Sequence, residues 1–249
     1  FQSCYKLQPR YYSISNSPLK HPHEIHICAS IVKHKTPIPY NIEKLGLCTH
    51  YNLLRTAQHY WHSETQFYLP IFIKQTPEFS LPKMLPSGKY PHVIMIGPGA
   101  GIAPFRAFIQ HRLYLRSEKE DADDHLKLDY LFHGCRYYDK DFLYREELNH
   151  ISNRLELIVA CSRAANEGLW YGGAYVQDLM REYGKQICDI MIRKKGYFYV
   201  CGDARGMAKQ VNKVLRDIII EETNATKAEA EAMIEQWKSE GHYQLDVWA

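Results

Sequence analysis

Nine residues constrain this chain more than any other stretch: Gly-Pro-Gly-Ala-Gly-Ile-Ala-Pro-Phe, residues 97–105. Before them runs His92-Val93-Ile94-Met95-Ile96, with the length and β-branching of a buried strand. After them Phe105, Phe108, Ile109 and Leu113 fall on one helical face, with Pro104 suited to the first helical turn. A strand, a glycine turn and a helix start gather bare backbone N–H groups and the positive end of a helix dipole at one point. Such a point suits a phosphate or a polarised ring. Three glycines in five residues also let a flat ligand approach the backbone. The loop follows neither the dinucleotide spacing G-x-G-x-x-G nor the P-loop, so taken alone it equally describes a tight βα turn.

Length and charge narrow the setting. With 249 residues, 45% of them apolar, the chain has room for two domains with real cores. A net charge of +3 is too small to argue for nucleic acid, yet it accommodates an anionic cofactor. Seven cysteines, odd in number and without a CxxC pair, point to reduced thiols in a cytosolic setting and away from zinc or iron–sulfur sites. No apolar run approaches a membrane span and no signal peptide is visible, so no membrane contact is expected of this stretch. The chain opens on Phe1 without an initiator Met, which reads as a fragment whose anchor, if any, lies upstream.

Two domains are expected. Residues 1–89 are rich in Pro, His, Tyr and β-branched residues, with strands predicted at Ile25–Val32 and Phe67–Ile73, a turn near Gly46–Leu54, and turns at Pro18, Pro37–Pro39 and Pro77. This predicts an antiparallel, barrel-like domain. From residue 90 the pattern alternates. Strands predicted at Val93–Ile96, Asp129–His133, Leu155–Ala160 and Tyr197–Cys201 interleave with helices near 104–116, 142–152, 174–183 and 205–222. That order predicts an α/β domain with a parallel sheet covered on both faces. The charged run from Arg116 to Asp124 reads as a solvated linker. Thr226 and Glu229 form a capping box for a last helix, Gly241 ends it, and His242–Trp248 closes the chain as a strand.

Chemistry-bearing residues cluster at predicted strand ends. Arg10-Tyr11-Tyr12-Ser13 offers a guanidinium for a pyrophosphate, rings for a flavin and a hydroxyl for its edge. Gly46-Leu47-Cys48-Thr49 offers a nest of N–H groups and a hydroxyl for phosphate oxygens. Gly134-Cys135-Arg136, Ser162-Arg163 and Cys201-Gly202-Asp203 each sit beyond a predicted strand, where open parallel sheets bind ligands. The histidines between residues 21 and 62, and Trp61, read as surface or barrel packing, because their spacings match no metal geometry; no metal is expected.

Taken together and in this order, Arg10–Ser13, Gly97–Phe105, Gly134–Arg136 with Asp141–Leu148, Tyr199–Arg205 and the closing Leu245-Asp246-Val247-Trp248 resemble the diflavin reductases. The resemblance leans toward the NADPH–hemoprotein reductase branch. It covers the whole chain, as the later part of a ferredoxin-NADP reductase-like FAD barrel (1–89) followed by an NADP(H)-binding domain (90–249). It implies that Arg10, Tyr11, Tyr12 and Ser13 hold FAD, that Cys28, Ala29 and Ser30 line the flavin or its tail, and that Gly46, Leu47, Cys48 and Thr49 take the pyrophosphate. For NADPH it implies Gly99, Ala100, Gly101 and Arg136, with Ser162, Arg163, Tyr175, Gln177 and Gln210 around the adenosine and its 2′-phosphate. Trp248 would cover the flavin face, and Ser13, Cys201 and Asp246 would steer hydride from NADPH to FAD. The implied partners are an FMN domain of the same parent protein, absent from this chain, and a cytochrome or other hemoprotein. The implied location is the cytoplasmic side of the endoplasmic reticulum membrane.

Three positions depart from that family's pattern: Ala100 where a hydroxyl is common, Gly173 where a Lys is expected, and Gln210 where an Asp is expected. They bear on the preference for NADPH over NADH. Other readings are a flavoprotein donor for sulfite reduction, methionine synthase repair or a fused acceptor, and a flavin-free scaffold. The scaffold has no use for Ser13, Cys201, Asp246 and Trp248.

Overall fold

The computed structural model describes residues 8–54, 70–117, 127, 129–163 and 173–248. Its contacts divide the chain into two compact units, residues 1–13 with 27–75, and residues 14–26 with 76–249.

In the first unit a two-stranded antiparallel ribbon joins β1 (Lys33–Lys35) to β2 (Glu43–Leu45), with Lys33 opposite Leu45. A wide π-type helical turn, Leu47–Leu54, follows where the sequence predicts a turn. The expected strand Ile25–Val32 is reduced to a single bridge residue, Ile27; continuous pairing starts at Lys33, and Ile31 and Val32 stand exposed. β-branching favours a strand only where a neighbour completes the ladder and a face is packed, and here the pairing is isolated and Ile25, Ile27, Ile31 and Val32 are all exposed. Of the expected strand Phe67–Ile73, residues 70–73 carry no regular structure and the rest lies outside the described residues.

The second unit is built on one parallel sheet. Its strands are β3 (Val93–Ile96), β4 (Asp129–Cys135), β5 (Leu155–Cys161), β6 (Tyr197–Asp203) and β7 (Tyr243–Trp248). They lie side by side in the order β5-β4-β3-β6-β7, every pair parallel. β3 is buried along its whole length because both faces are covered. Ile94 and Ile96 join Phe132, Ile158 and Val200 on one side, while Val93 and Met95 join Leu131, Tyr199 and Cys201 on the other.

Helices follow the strands as the alternation predicts. α1 (Ala103–Ser117) sends Phe105 and Ile109 into the Val93–Met95 side. A short α2 (Tyr138–Asp141) precedes the expected helix 142–152, which is confined to α3 (Arg145–His150). Phe142 leaves the helix to be buried, and Tyr144 at φ 58 breaks the path between them. α4 (Val176–Glu182), α5 (Gly184–Cys188) and α6 (Met207–Thr223) cover the other face. α7 (Lys227–Ser239) starts at the expected capping box, with Thr226 N donating to Glu229 Oε2 at 2.8 Å and Glu229 N to Thr226 Oγ1 at 3.3 Å. Gly241 at φ +76 then turns the chain into β7.

Arg116 corrects the linker reading. It is 1% exposed at the end of α1, one turn beyond Arg112, which pairs with Asp129 at 2.8 Å and donates to Pro91 O at 2.8 Å. A run of charges therefore begins inside the fold, and the Arg112 guanidinium one turn earlier is tolerated there because a carboxylate and a carbonyl meet it. Residues 118–124 lie outside the described residues.

Two glycines of the 97–101 turn carry different constraints. A Cβ on Gly101 would overlap the Cys201 carbonyl, whereas Gly99, at φ +55, faces open space. Gly101→Ala should lower stability by about 2–4 kcal/mol, and Gly99→Ala by about 1 kcal/mol through backbone strain alone. Urea unfolding of both variants measures this ordering.

Candidate cofactor-binding site

The strand order places a gap in the sheet's connectivity at β3. From β3 the chain moves outward to β4 and β5, then returns to β3's other side for β6 and β7. The carboxyl end of β3 is thus the switch point at which open parallel sheets bind ligands. Gly97–Ile102 occupies it: a single 3₁₀ turn, Gly99–Ile102, runs into α1 with Pro98 in the N-cap position and no side-chain cap. Gly101 N donates to Pro98 O at 3.1 Å, while no side chain caps the start, and uncapped N–H groups at such a start suit an external acceptor. Gly101 lies hard against Cys201 and Gly134 against Pro98, so the turn is packed tightly on the two neighbouring strands. Gly99 leaves its outer side bare, a cradle that a side chain would fill. The structure thus has the backbone geometry that a diphosphate needs.

His133, which the sequence did not mark, holds that turn from below. It is fully buried on β4, stacks on Phe142 at 5.1 Å, and its Nδ1 lies 2.8 Å from Gly97 O. A carbonyl can only accept, so Nδ1 carries the proton, and the buried Nε2 is the unprotonated nitrogen. Burial pulls the imidazole's pKa down from 6.5 to about 4, against the opposing bond to Gly97. The only sequence signal for it was a histidine within a predicted buried strand, which does not reveal a partner 36 positions away.

The other carboxyl ends line up along the same edge. Arg136 leaves β4 and pairs through Nε with Asp141 at 2.8 Å. Asp141 also accepts from the N–H groups of Arg136 and Tyr137. Burial alone would raise the Asp141 carboxyl, but these donors hold it below the usual carboxylate range. Beside it the β4–β5 ladder continues past the strands, with Ser162 N on Cys135 O and Arg163 N on Arg136 O, both at 3.0 Å. This fixes the backbone of Ser162 and Arg163 while the Arg163 side chain stays exposed. Cys135 and Cys161 face each other in register, Sγ to Sγ 3.5 Å, and burial pushes the Cys135 thiol far up.

Across the switch point, Asp203 at the end of β6 is a helix cap: it accepts from Gly206 N at 2.6 Å and Met207 N at 3.3 Å. Cys201 and Asp246 are cross-strand neighbours on β6 and β7, with Sγ 3.8 Å from Oδ2. Trp248 ends β7 opposite Asp203 and is 48% exposed. Tyr175, before α4, is exposed, and its N–H donates to Asp178 at 2.8 Å. Gln177 donates to Gln210 at 2.5 Å and ties α4 to α6. Ala100 stands in the 3₁₀ turn, with only a methyl group to offer there. Gly173, at φ +83, presents no side chain, and the preceding residues 164–172 lie outside the described residues.

The first unit brings together part of the other expected set. Tyr12 hydrogen-bonds to the Cys48 side chain, and burial, followed by Cys48, lifts its phenol to about 12, with Arg10 acting the other way. Arg10 donates to Gln8 O at 2.7 Å. Tyr11 meets Phe72 edge-on at 5.7 Å. Gly46 N donates to Val32 O and Thr49 Oγ1 accepts from Val32 N, so the 46–49 turn folds onto residue 32. Thr49 is 5% exposed, its hydroxyl taken up by Val32 N. Cys28 and Ala29 are half-buried, Ser30 is exposed, and Ser13 is half-buried. Leu47 is exposed at the start of the helical turn. Trp61 lies outside the described residues.

Residues 95–213 match the oxidoreductase NAD-binding domain family and residues 1–51 the FAD binding domain family. Human methionine synthase reductase is 36% identical over 254 aligned positions, covering 98% of this chain and 36% of that protein. NADPH–cytochrome P450 reductase of Drosophila melanogaster is 35% identical over 244 positions, 98% of this chain and 33% of that protein. The human P450 reductase is 37% identical over 247 positions, again 98% of this chain, and 34% of that protein. The chain spans about a third of the length of these relatives.

His133 gives a pH dependence with a definite sign. Its folded pKa of about 4 lies below the ordinary 6.5, so between these values the unfolded chain binds a proton that the fold refuses. Stability from this group is full above pH 6.5 and is lost as pH falls toward 4, by roughly 3 kcal/mol. His133→Phe should remove this component. Unfolding free energies at pH 7 and pH 4.5 should converge between variant and parent at the lower pH.

Proposed function

The chain belongs to the diflavin reductases, and from this we propose that it is the part of an NADPH oxidoreductase that binds NADPH and FAD and brings them together. The observation that carries the proposal is the bare glycine turn at the switch point of a parallel sheet, with Ser162 and Arg163 fixed on the same edge. The domain assignment is part of it: residues 1–89 for FAD, residues 90–249 for NADP(H).

When bound, NADPH supplies hydride and FAD accepts it, handing electrons on one at a time. The chain's own residues then have distinct tasks. The Gly99 and Ala100 N–H groups neutralise the diphosphate, Gly101 lets the turn pack on β6, and Arg136 adds charge at the next strand end. Ser162 donates and Arg163 pairs with the 2′-phosphate, while the exposed Tyr175 ring covers the adenine. Gln177 and Gln210, tied to one another, border that phosphate with neutral amides. Arg10 holds the FAD diphosphate, and Tyr11, Tyr12 and Ser13 flank the ring, with Cys28 to Ser30 and Gly46 to Thr49 around its tail. Asp246 and Cys201 sit as a polar pair whose charge favours a cationic nicotinamide product. Trp248, half exposed on the last strand, shields the reacting face from water until the nicotinamide displaces it.

Onward transfer to an FMN domain of the same parent protein, and from there to a cytochrome or another acceptor protein, completes the proposed function. The relatives are named for both a methionine synthase and a cytochrome P450 partner. The closing Asp246-Val247-Trp248 favours the hemoprotein branch, and that branch carries the proposed endoplasmic reticulum location of the parent. Among the described residues no helix is long and apolar enough to cross a membrane.

Arg163→Ala should weaken NADP⁺ binding by roughly 1.5–3 kcal/mol, the scale of a charge-assisted hydrogen bond, and leave NAD⁺ binding unchanged. Calorimetry with both coenzymes decides it. Equal losses for the two would show that Arg163 does not read the 2′-phosphate.

A further inference from the structure

Residues 14–26 form a polar strap on the second unit. Ser15, Asn16 and Ser17 are all buried, which is unusual for such polar side chains. Their polar groups are met: Ser17 N donates to Gln110 Oε1 at 3.1 Å, and Arg106 donates to Ser15 O at 2.8 Å. Asn16 then pins the returning arm, with Nδ2 on Glu24 O at 3.0 Å and Oδ1 accepting from His26 N at 2.7 Å. Ser15 N on His26 O at 2.8 Å and His21 N on Ser17 O at 2.9 Å complete the clamp. The chain is thereby folded so that His21, Glu24 and His26 meet.

We propose that His21, Glu24 and His26 form a binding site for one divalent transition-metal ion of the zinc class. One ligand atom from each of the three lies within 4.8 Å of the others. Glu24 Oε2 is 3.5 Å from His21 Nδ1 and 2.6 Å from His26 Nε2. Tetrahedral zinc with ligands at about 2.0–2.1 Å sets them about 3.3 Å apart. The site therefore needs the Glu24–His26 bond to open by less than 1 Å and the two rings, 4.8 Å apart, to draw in. Side chains that are 27%, 60% and 34% exposed have the freedom to do so, and water completes the fourth position. Two imidazoles and one carboxylate suit zinc and its neighbours, and disfavour magnesium and calcium, which take oxygen ligands.

The surroundings set the affinity. Metal binding at His26 Nε2 displaces its hydrogen bond to Glu24, and the neutral ring carries its proton on Nδ1 instead. Arg106 NH1 lies 3.4 Å from that Nδ1. Arg106 is anchored elsewhere, 2.7 Å from Glu147 and 2.8 Å from Ser15 O, so it stays in place and disfavours the extra proton. Binding weaker than that of a closed four-ligand structural site follows. The spacing His-x-x-Glu-x-His matches no helical or knuckle pattern, which is why the sequence argued against a metal. The ligands converge because Asn16 ties residues 24 and 26 to its own side chain.

Titration calorimetry of the full chain with zinc, and with magnesium as control, tests the site. One zinc per chain is expected, with magnesium silent. His21→Ala and Glu24→Gln should each weaken zinc binding at least ten-fold, and His23→Ala, exposed and outside the cluster, less than two-fold. Melting curves matching the parent's keep the variants comparable. A cobalt(II) spectrum without thiolate charge-transfer bands separates this site from zinc held by cysteines. The absence of saturable zinc binding, unchanged binding in His21→Ala and Glu24→Gln, or a thiolate spectrum would overturn the proposal.

Discussion

The parallel pairing of β3 on both of its edges is the constraint on which the candidate site depends. Val93–Ile96 register with Asp129–Phe132 on one side and Tyr197–Val200 on the other. With all five strands parallel, every carboxyl end must emerge on one edge, so residues scattered from 97 to 248 become neighbours along a line. The close approach of Gly101 to Cys201 is the local form of the same constraint: the turn after β3 must lie flat against β6 for its N–H groups to face outward.

Polar residues along that edge divide their labour. Asp141 and Asp203 spend their carboxylates on backbone N–H groups and so build the turns. His133 does the same from inside, giving its one proton to Gly97 O. These groups are bound internally, which leaves the exposed Arg163 and Tyr175 side chains and the uncapped turn to meet a ligand. A site built this way is shaped before the ligand arrives, and little of the binding energy goes into ordering it.

Most of the sheet was legible in the sequence because its signals are local. The run Val93–Ile96, the glycine turn and the Thr226–Glu229 box each announce themselves within a few residues, and each is found where expected. What was not legible depends on distant partners. Ile25–Val32 has strand composition but only an isolated bridge at Ile27, and Arg116 looks solvated until α1 carries it inside. Tyr144 adopts a left-handed conformation that no propensity favours, to let Phe142 reach the core. His133, Ser15 and Asn16 are ordinary letters in the sequence; only the fold supplies Gly97 O, Arg106 and His26 as their partners. At the edge itself, the residue types were readable, and the division between cap and ligand-facing side chain was not.

The most direct test of the account is to map NADP⁺ onto the chain by amide chemical shifts. Titration into isotopically labelled protein should move the amides of Gly99, Ala100, Gly101, Arg136, Ser162, Arg163 and Tyr175 most, with little change at the amino ends of the same strands. Shifts centred on those amino ends, near Val93, Asp129 and Leu155, or no saturable shifts at all, would contradict the assignment of the carboxyl edge as the coenzyme site.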